Sequence, residues 1–166
     1  MLPLFLALHG RLVVLVGSGP VAEAKRRQFA DAGASVRVVA PETFVASDLD
    51  AAWLVVAAAA PEVNRRVADA AAARRLFVNA VDDPANASAF LSGVVRRDGV
   101  TIGISTEGHA PALTSLLREA LDALLPDDLD QWMATARAER EAWTRDAVPI
   151  DGRKPRLLEA LNRRYS

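Results

Sequence analysis

Residues 12–16 read LVVLV and run straight into Gly17-Ser18-Gly19-Pro20-Val21-Ala22. An unbroken run of branched aliphatic residues has no polar face to offer water, so it reads as a strand buried on both sides, as in a parallel sheet flanked by helices. The residues that follow have the spacing G-x-G-x-x-A, the fingerprint of a dinucleotide-binding turn with alanine in third place. On this reading Gly17 permits the tight turn, Gly19 lets a pyrophosphate approach the backbone, and Ala22 keeps the next helix close to the strand. The N-terminus of that helix offers unpaired N–H groups and a positive dipole end to the phosphates. Gly17, Ser18, Gly19, Pro20 and Val21 are therefore the cofactor-binding candidates. A purely structural tight turn is the competing interpretation. The position after a strand, before a helix and near the N-terminus favours the nucleotide.

Strand and helix signals then alternate. Residues 20–32 read as a helix stopped at Gly33. Residues 35–40 (SVRVVA) form a second strand closed by Pro41, and residues 52–57 (AWLVVA) a third. Residues 61–72 follow as a helix with proline at its tolerated first position, and residues 76–81 (LFVNAV) are a fourth strand. Such alternation implies parallel β-α-β units, an α/β fold with a Rossmann-like sheet. After residue 88 the pattern changes. Residues 89–97 and 100–105 are two strands joined around Asp98-Gly99, a hairpin signal. Residues 111–125 form a helix with one apolar stripe through Leu113, Leu116, Leu117, Ala120, Leu121, Leu124 and Leu125. Residues 129–143 continue a helical period, residues 147–155 read as a linker, and residues 156–165 as a terminal helix. The expected organisation is a nucleotide-binding domain over 1–88, a hairpin and helix region over 89–126 that is a sheet edge or a separate assembly element, and a helical tail over 127–166.

Composition narrows the chemistry. The formal net charge is −1, so bulk charge argues for neither nucleic acid nor a membrane surface. There is no cysteine, which removes disulfides, thiolate catalysis and Cys-based zinc or iron–sulfur sites. No His/Asp/Glu group has metal-ligand spacing, so no metal site is expected. The start, MLPLFLALHG, lacks a basic region and a small-residue cleavage site, and no run is long enough to span a bilayer; the cytoplasm is the expected location.

The second strand ends Val39-Ala40-Pro41-Glu42. Pro41 and Glu42 are candidates at the adenosine ribose, where an acid holds the 2′-hydroxyl; a cap for the following segment is the alternative role for Glu42. Arg37, inside the strand, is expected to point away from the nucleotide. No arginine cluster follows Pro41 to receive a 2′-phosphate, which favours NAD over NADP.

Four segments carry a family resemblance: LPLFLALHGRLVVLVGSGPVAEAKRRQFADAGASVRVVAPE, AWLVVAAAAPEVNRRVADAA, LFVNAVDDPANASAF and VVRRDGVTIGISTEGHAPALTSLLREALDALLP. Together they reach from Leu2 to about Pro126. The chain resembles the precorrin-2 dehydrogenase and sirohydrochlorin ferrochelatase family, the N-terminal part of siroheme synthase. The resemblance implies NAD-dependent oxidation of the tetrapyrrole precorrin-2 to sirohydrochlorin, with Fe²⁺ as the substrate of a further insertion in bifunctional members. It also implies a homodimer, with the hairpin and helix over 89–126 as the dimerisation region, and a helical tail near the active site. Asp82 matches the family's important aspartate, and a carboxylate there could accept a proton; an Asx-turn before Pro84 is the structural alternative. Asp83 reads as a turn residue, and Asn79 and Asn64 as structural asparagines, Asn79 fixing its loop by side-chain hydrogen bonds. His109, in the loop Ser105-Thr106-Glu107-Gly108-His109-Ala110-Pro111, is a candidate for substrate or metal contact, with a surface or packing role as the alternative. Arg118, on the helix after it, is a candidate for binding substrate carboxylates or for an inter-subunit ion pair. Arg96 and Arg97 are expected to be solvated.

The chain departs from the family at residues 57–60, where alanines replace a common Thr-Asp-Asp turn, and at Ala110, where many members have serine. These losses keep open a second reading, a catalytically inactive nucleotide-sensing or regulatory module on the same fold. Asp82 discriminates between the two, since a sensor has no need of a carboxylate there.

Overall fold

The computed structural model describes residues 1–91 and 93–165. Ser92, which falls inside the strand expected at 89–97, and Ser166 lie outside the described residues. The chain divides into two compact units, the first comprising Met1–Leu91 with Glu107–His109.

In the first unit the elements are β1 (Leu12–Gly17), α1 (Gly19–Asp31), β2 (Ser35–Val39), β3 (Leu54–Ala58), α2 (Pro61–Ala72) and β4 (Phe77–Ala80). The four strands form one parallel sheet in the order β2-β1-β3-β4. Side chains alternate across a strand, and β1 divides its residues between two cores accordingly. Val13 and Leu15 join Ala22 and Phe29 of α1, with Leu54 and Val56, on one face. Val14 and Val16 join Val67 and Ala71 of α2, with Val55, Ala57 and Val78, on the other. Val13, Val14, Leu15 and Val16 are wholly buried, each contributing roughly 1.5–3 kcal/mol of burial energy. The two helices therefore cover opposite faces. The chain leaves β1 toward one edge of the sheet and β3 toward the other, so the topological switch point lies between β1 and β3. In open α/β sheets ligands bind beyond the carboxyl ends of the strands at such a point.

In the second unit, β5 (Gly93–Arg97) and β6 (Val100–Ile104) pair antiparallel. Asp98 and Gly99 both have positive φ, 49° and 85°, as a two-residue hairpin turn requires. The unit continues with α3 (Pro111–Leu124), α4 (Leu129–Arg145) and α5 (Ile150–Asn162); α3 packs against β5 and β6, and α4 against α5. Two expectations are corrected. The linker foreseen at 147–155 is mostly helix, because α5 begins at Ile150 behind an extended Pro149 and carries Pro155 inside it. Proline there forfeits one backbone hydrogen bond without ending the helix. Arg97 is not freely solvated: its Nη2 donates to the Pro126 carbonyl at 3.4 Å. Among the described residues no helix is long and apolar enough to cross a membrane.

Candidate functional site

The glycine turn joins β1 to α1, and its two glycines are needed for different reasons. Gly17 is the last residue of β1, and a Cβ there would lie 2.6 Å from the Ala58 carbonyl oxygen on β3. Its role is close strand packing at the switch point, rather than the turn conformation read from the motif. Gly19 has φ +79° and no heavy atom within 4 Å of where a Cβ would stand. The left-handed backbone suits glycine, and the space over it is open to a ligand. Ser18, the N-cap of α1, makes no side-chain capping bond, and Pro20 lies in the first turn. The turn thus leaves helix N–H groups for a phosphate, and the residues present fit a dinucleotide's pyrophosphate.

Beyond the carboxyl ends of β1, β2 and β3 lies a groove of about 410 Å³ lined by Ser18, Pro41, Glu42, Ala58, Ala59, Ala60, Val63 and Arg66. The structure therefore brings Pro41 and Glu42 to the same groove as Ser18. Arg66 was missed by sequence reasoning. It sits on α2, far along the chain from the end of β2, and only the fold brings it there. Arg37 points elsewhere, toward the backbone carbonyls of Asp48 and Asp50. A smaller hollow of about 190 Å³ adjoins Gly17, Ser18 and Gly19 and includes Val38, Glu23 and Arg26. Hydrogen bonds from Arg26 and Arg27 hold the Glu23 carboxyl down to about 2.

Asp82 follows β4 at the same end of the sheet. Val81 donates to the Ala57 carbonyl at 2.8 Å, continuing the sheet's pairing, and the chain then reverses at Asp82 with φ +54°. A left-handed non-glycine residue is uncommon, although aspartate is among those that tolerate it. The carboxylate is exposed. Lys25 of α1 is close enough to feel its charge: partial burial lowers the Lys25 ammonium's pKa, and Asp82 opposes that shift.

Asp83 is more than a turn residue. Its Oδ2 accepts from Asn64 Nδ2 at 3.2 Å and from Asn86 Nδ2 at 2.8 Å. Asn64 is 1% exposed, and its Oδ1 accepts from the Ala59 N–H at 3.1 Å. One buried amide thus ties the β3–α2 turn to the loop holding Asp82. Asn79 fixes its loop as expected, through Nδ2 donating to the Ala89 carbonyl at 3.0 Å. Its buried Oδ1 has no partner among the described residues.

His109 is exposed in the loop before α3, which carries positive φ at Glu107 and Gly108. Arg118 lies on α3 in the second unit, 42% exposed and paired with Glu119 at 3.3 Å. Thr106 closes that loop on the helix, its Oγ1 standing 2.9 Å from Thr114 Oγ1 and accepting from the Ala110 N–H at 3.3 Å. Among the described residues no group of three or more His, Asp or Glu could hold a metal ion.

Comparison with known proteins agrees with this geometry. The chain is 41% identical over 160 aligned residues to siroheme synthase 3 of Aeromonas hydrophila, covering 84% of this chain and 34% of that protein. It is 35% identical over 185 residues to siroheme synthase of Photorhabdus laumondii, covering 99% of this chain and 39% of that protein. The chain thus spans under two fifths of the length of these relatives. Among solved structures, SirC, a precorrin-2 dehydrogenase, superposes with a TM-score of 0.71 at 23% identity, covering 96% of this chain and 88% of that one, and so shares the fold. The family model described as "Putative NAD(P)-binding" matches residues 4–93. The glycine turn, the switch-point groove and this match together show that the chain belongs to that NAD(P)-binding family.

Proposed function

We propose that this protein oxidises precorrin-2 to sirohydrochlorin with NAD⁺. The observation that carries the reading is a carboxylate, Asp82, on a left-handed turn at the same end of the sheet as the nucleotide groove, in a chain similar along most of its length to siroheme synthases. The N–H groups at the start of α1 bind the diphosphate over Gly19, and Pro20 and Val21 carry the chain into that first turn. Glu42 accepts from ribose hydroxyls, with Pro41 and Ser18 lining the same groove. NAD⁺ held by these residues would supply the hydride acceptor for the substrate. Asp82 takes the accompanying proton, so one hydride and one proton leave precorrin-2 and the product gains a conjugated double bond. Asn64 and Asp83 position the Asp82 loop. His109 and Arg118 each hold a substrate carboxylate.

Fe²⁺ insertion into sirohydrochlorin, a lyase reaction, is proposed as a second step sharing Asp82, which is suited to receive pyrrole protons as they are displaced. The protein works as a homodimer in the cytoplasm. Asp82→Asn tests the assignment, since asparagine keeps the left-handed backbone and removes the base. Precorrin-2 oxidation is expected to fall ~10²–10⁴-fold, the usual range for a general base, with NAD⁺ still bound. Iron insertion is assayed separately with sirohydrochlorin supplied, because lost oxidation alone starves it. Near-normal oxidation in the variant would return Asp82 to the role of a turn residue.

A further inference from the structure

The groove at the ends of β1–β3 has only three polar side chains in its lining: Ser18, Glu42 and Arg66. The β3–α2 turn contributes Ala58, Ala59 and Ala60, so Glu42 is the single carboxylate in that lining and Arg66 the single cation. Arg66 is fixed there. Its Nη2 donates to the Phe44 carbonyl at 3.1 Å, and its guanidinium carbon lies 6.0 Å from the centroid of the Phe44 ring. Phe44 is itself in the core, 4% exposed, so the guanidinium is tied to the segment just after Glu42. The remaining N–H donors of Arg66 make no bond among the described residues, and no ion pair joins it to Glu42.

An acid beyond the second strand favours a free ribose 2′-hydroxyl, whereas a nearby arginine accommodates a 2′-phosphate. A guanidinium presents a planar fork of donors matched to phosphate oxygens. Here both groups line one groove, with no further carboxylate in the lining to repel a phosphate. We propose that Arg66 recognises a 2′-phosphate on the adenosine ribose, so that the site takes NADP⁺ as well as NAD⁺. This rests on the nucleotide reading of the groove and deepens it. Arg66 is the residue that admits the phosphate, and Glu42 the residue that retains the unphosphorylated form.

Calorimetric titration of the whole chain with NAD⁺, NADP⁺ and 2′,5′-ADP tests it. The wild type is expected to bind NADP⁺ within about tenfold of NAD⁺, a gap that one charged contact can span. Arg66→Met is expected to lower the ratio of NADP⁺ to NAD⁺ affinity at least about tenfold and to abolish 2′,5′-ADP binding, the loss of one charge-assisted pair. Arg66→Lys keeps the charge and much of the stem, and is expected to retain part of the NADP⁺ affinity. It therefore guards against misreading a fold defect in the methionine variant, which circular dichroism also monitors. Glu42→Gln is expected to move the ratio toward NADP⁺. Equal loss of both cofactors in Arg66→Met, with a native spectrum, would reduce Arg66 to an anchor for Phe44 and overturn the proposal. Wild-type binding of NAD⁺ without NADP⁺ would overturn it alone, leaving the nucleotide site intact. Binding of neither would overturn the nucleotide reading with it.

Discussion

At the residue scale, the two glycines of the β1–α1 turn separate stability from binding. Gly19 faces open space in a left-handed conformation, so Gly19→Asp adds a strained side chain and a negative charge where a diphosphate would sit. NAD⁺ affinity measured by calorimetry is expected to collapse while the circular dichroism spectrum stays native, and retained affinity would show that the phosphates lie elsewhere. Gly17→Ala acts on the other quantity. Its Cβ would press on the Ala58 carbonyl at 2.6 Å, and overpacking of this kind costs about 1–3 kcal/mol. A thermal melt is expected to show that loss, whereas an unchanged melting temperature would mean that β1 and β3 separate easily. Both glycines were legible in the sequence, but the distinction between them was not: the motif states spacing, and only the approach of β3 shows which glycine packs and which opens. Asp83 was undervalued for a similar reason. Its partner Asn64 lies nineteen positions away along the chain, and no local pattern announces that bond.

At the element scale, the sequence located the parallel sheet almost strand for strand. LVVLV, SVRVVA, AWLVVA and LFVNAV each become a strand within a residue or two of the expected ends, and α2 spans Pro61–Ala72 as foreseen. Apolar runs and proline or glycine punctuation are local signals, and the sheet depends on them. The C-terminal segment departs from the linker expected at 147–155, because α5 starts at Ile150 and accepts Pro155 inside it. Arg66 was invisible because its relation to Glu42 is made by the meeting of α2 with the end of β2. The contact between elements that can be tested most simply is Asn64, which bonds Ala59 on one side and Asp83 on the other. Asn64→Leu leaves a part-buried N–H and a carboxylate without these partners, at a cost of about 1–3 kcal/mol for such a loss. Urea unfolding is expected to shift to a lower midpoint, and precorrin-2 oxidation is expected to fall because the Asp82 loop loses its tether. An unshifted midpoint would mean that water replaces the amide without penalty.

At the scale of the whole molecule, α3 has no buried residue, and Leu113, Leu116 and Leu124 are 49%, 64% and 78% exposed. An apolar stripe on a helix is ordinarily covered, and a second copy of the chain, joined through a two-fold interface, would cover it. Light scattering at micromolar concentration is expected to report a dimer, and Leu116→Glu to weaken it; a wild-type monomer would contradict that assembly. The same two readings that the sequence left open, an oxidising enzyme and a nucleotide sensor, separate at this scale, because a sensor binds the cofactor and leaves it unchanged. The direct measurement is anaerobic mixing of the wild-type protein, NAD⁺ and precorrin-2 while the absorbances of NADH and sirohydrochlorin are followed together. The proposed reaction requires both to rise in equal amounts, at a rate proportional to protein and absent without it. Tight binding of NAD⁺ with no NADH formed in the presence of precorrin-2 would contradict it.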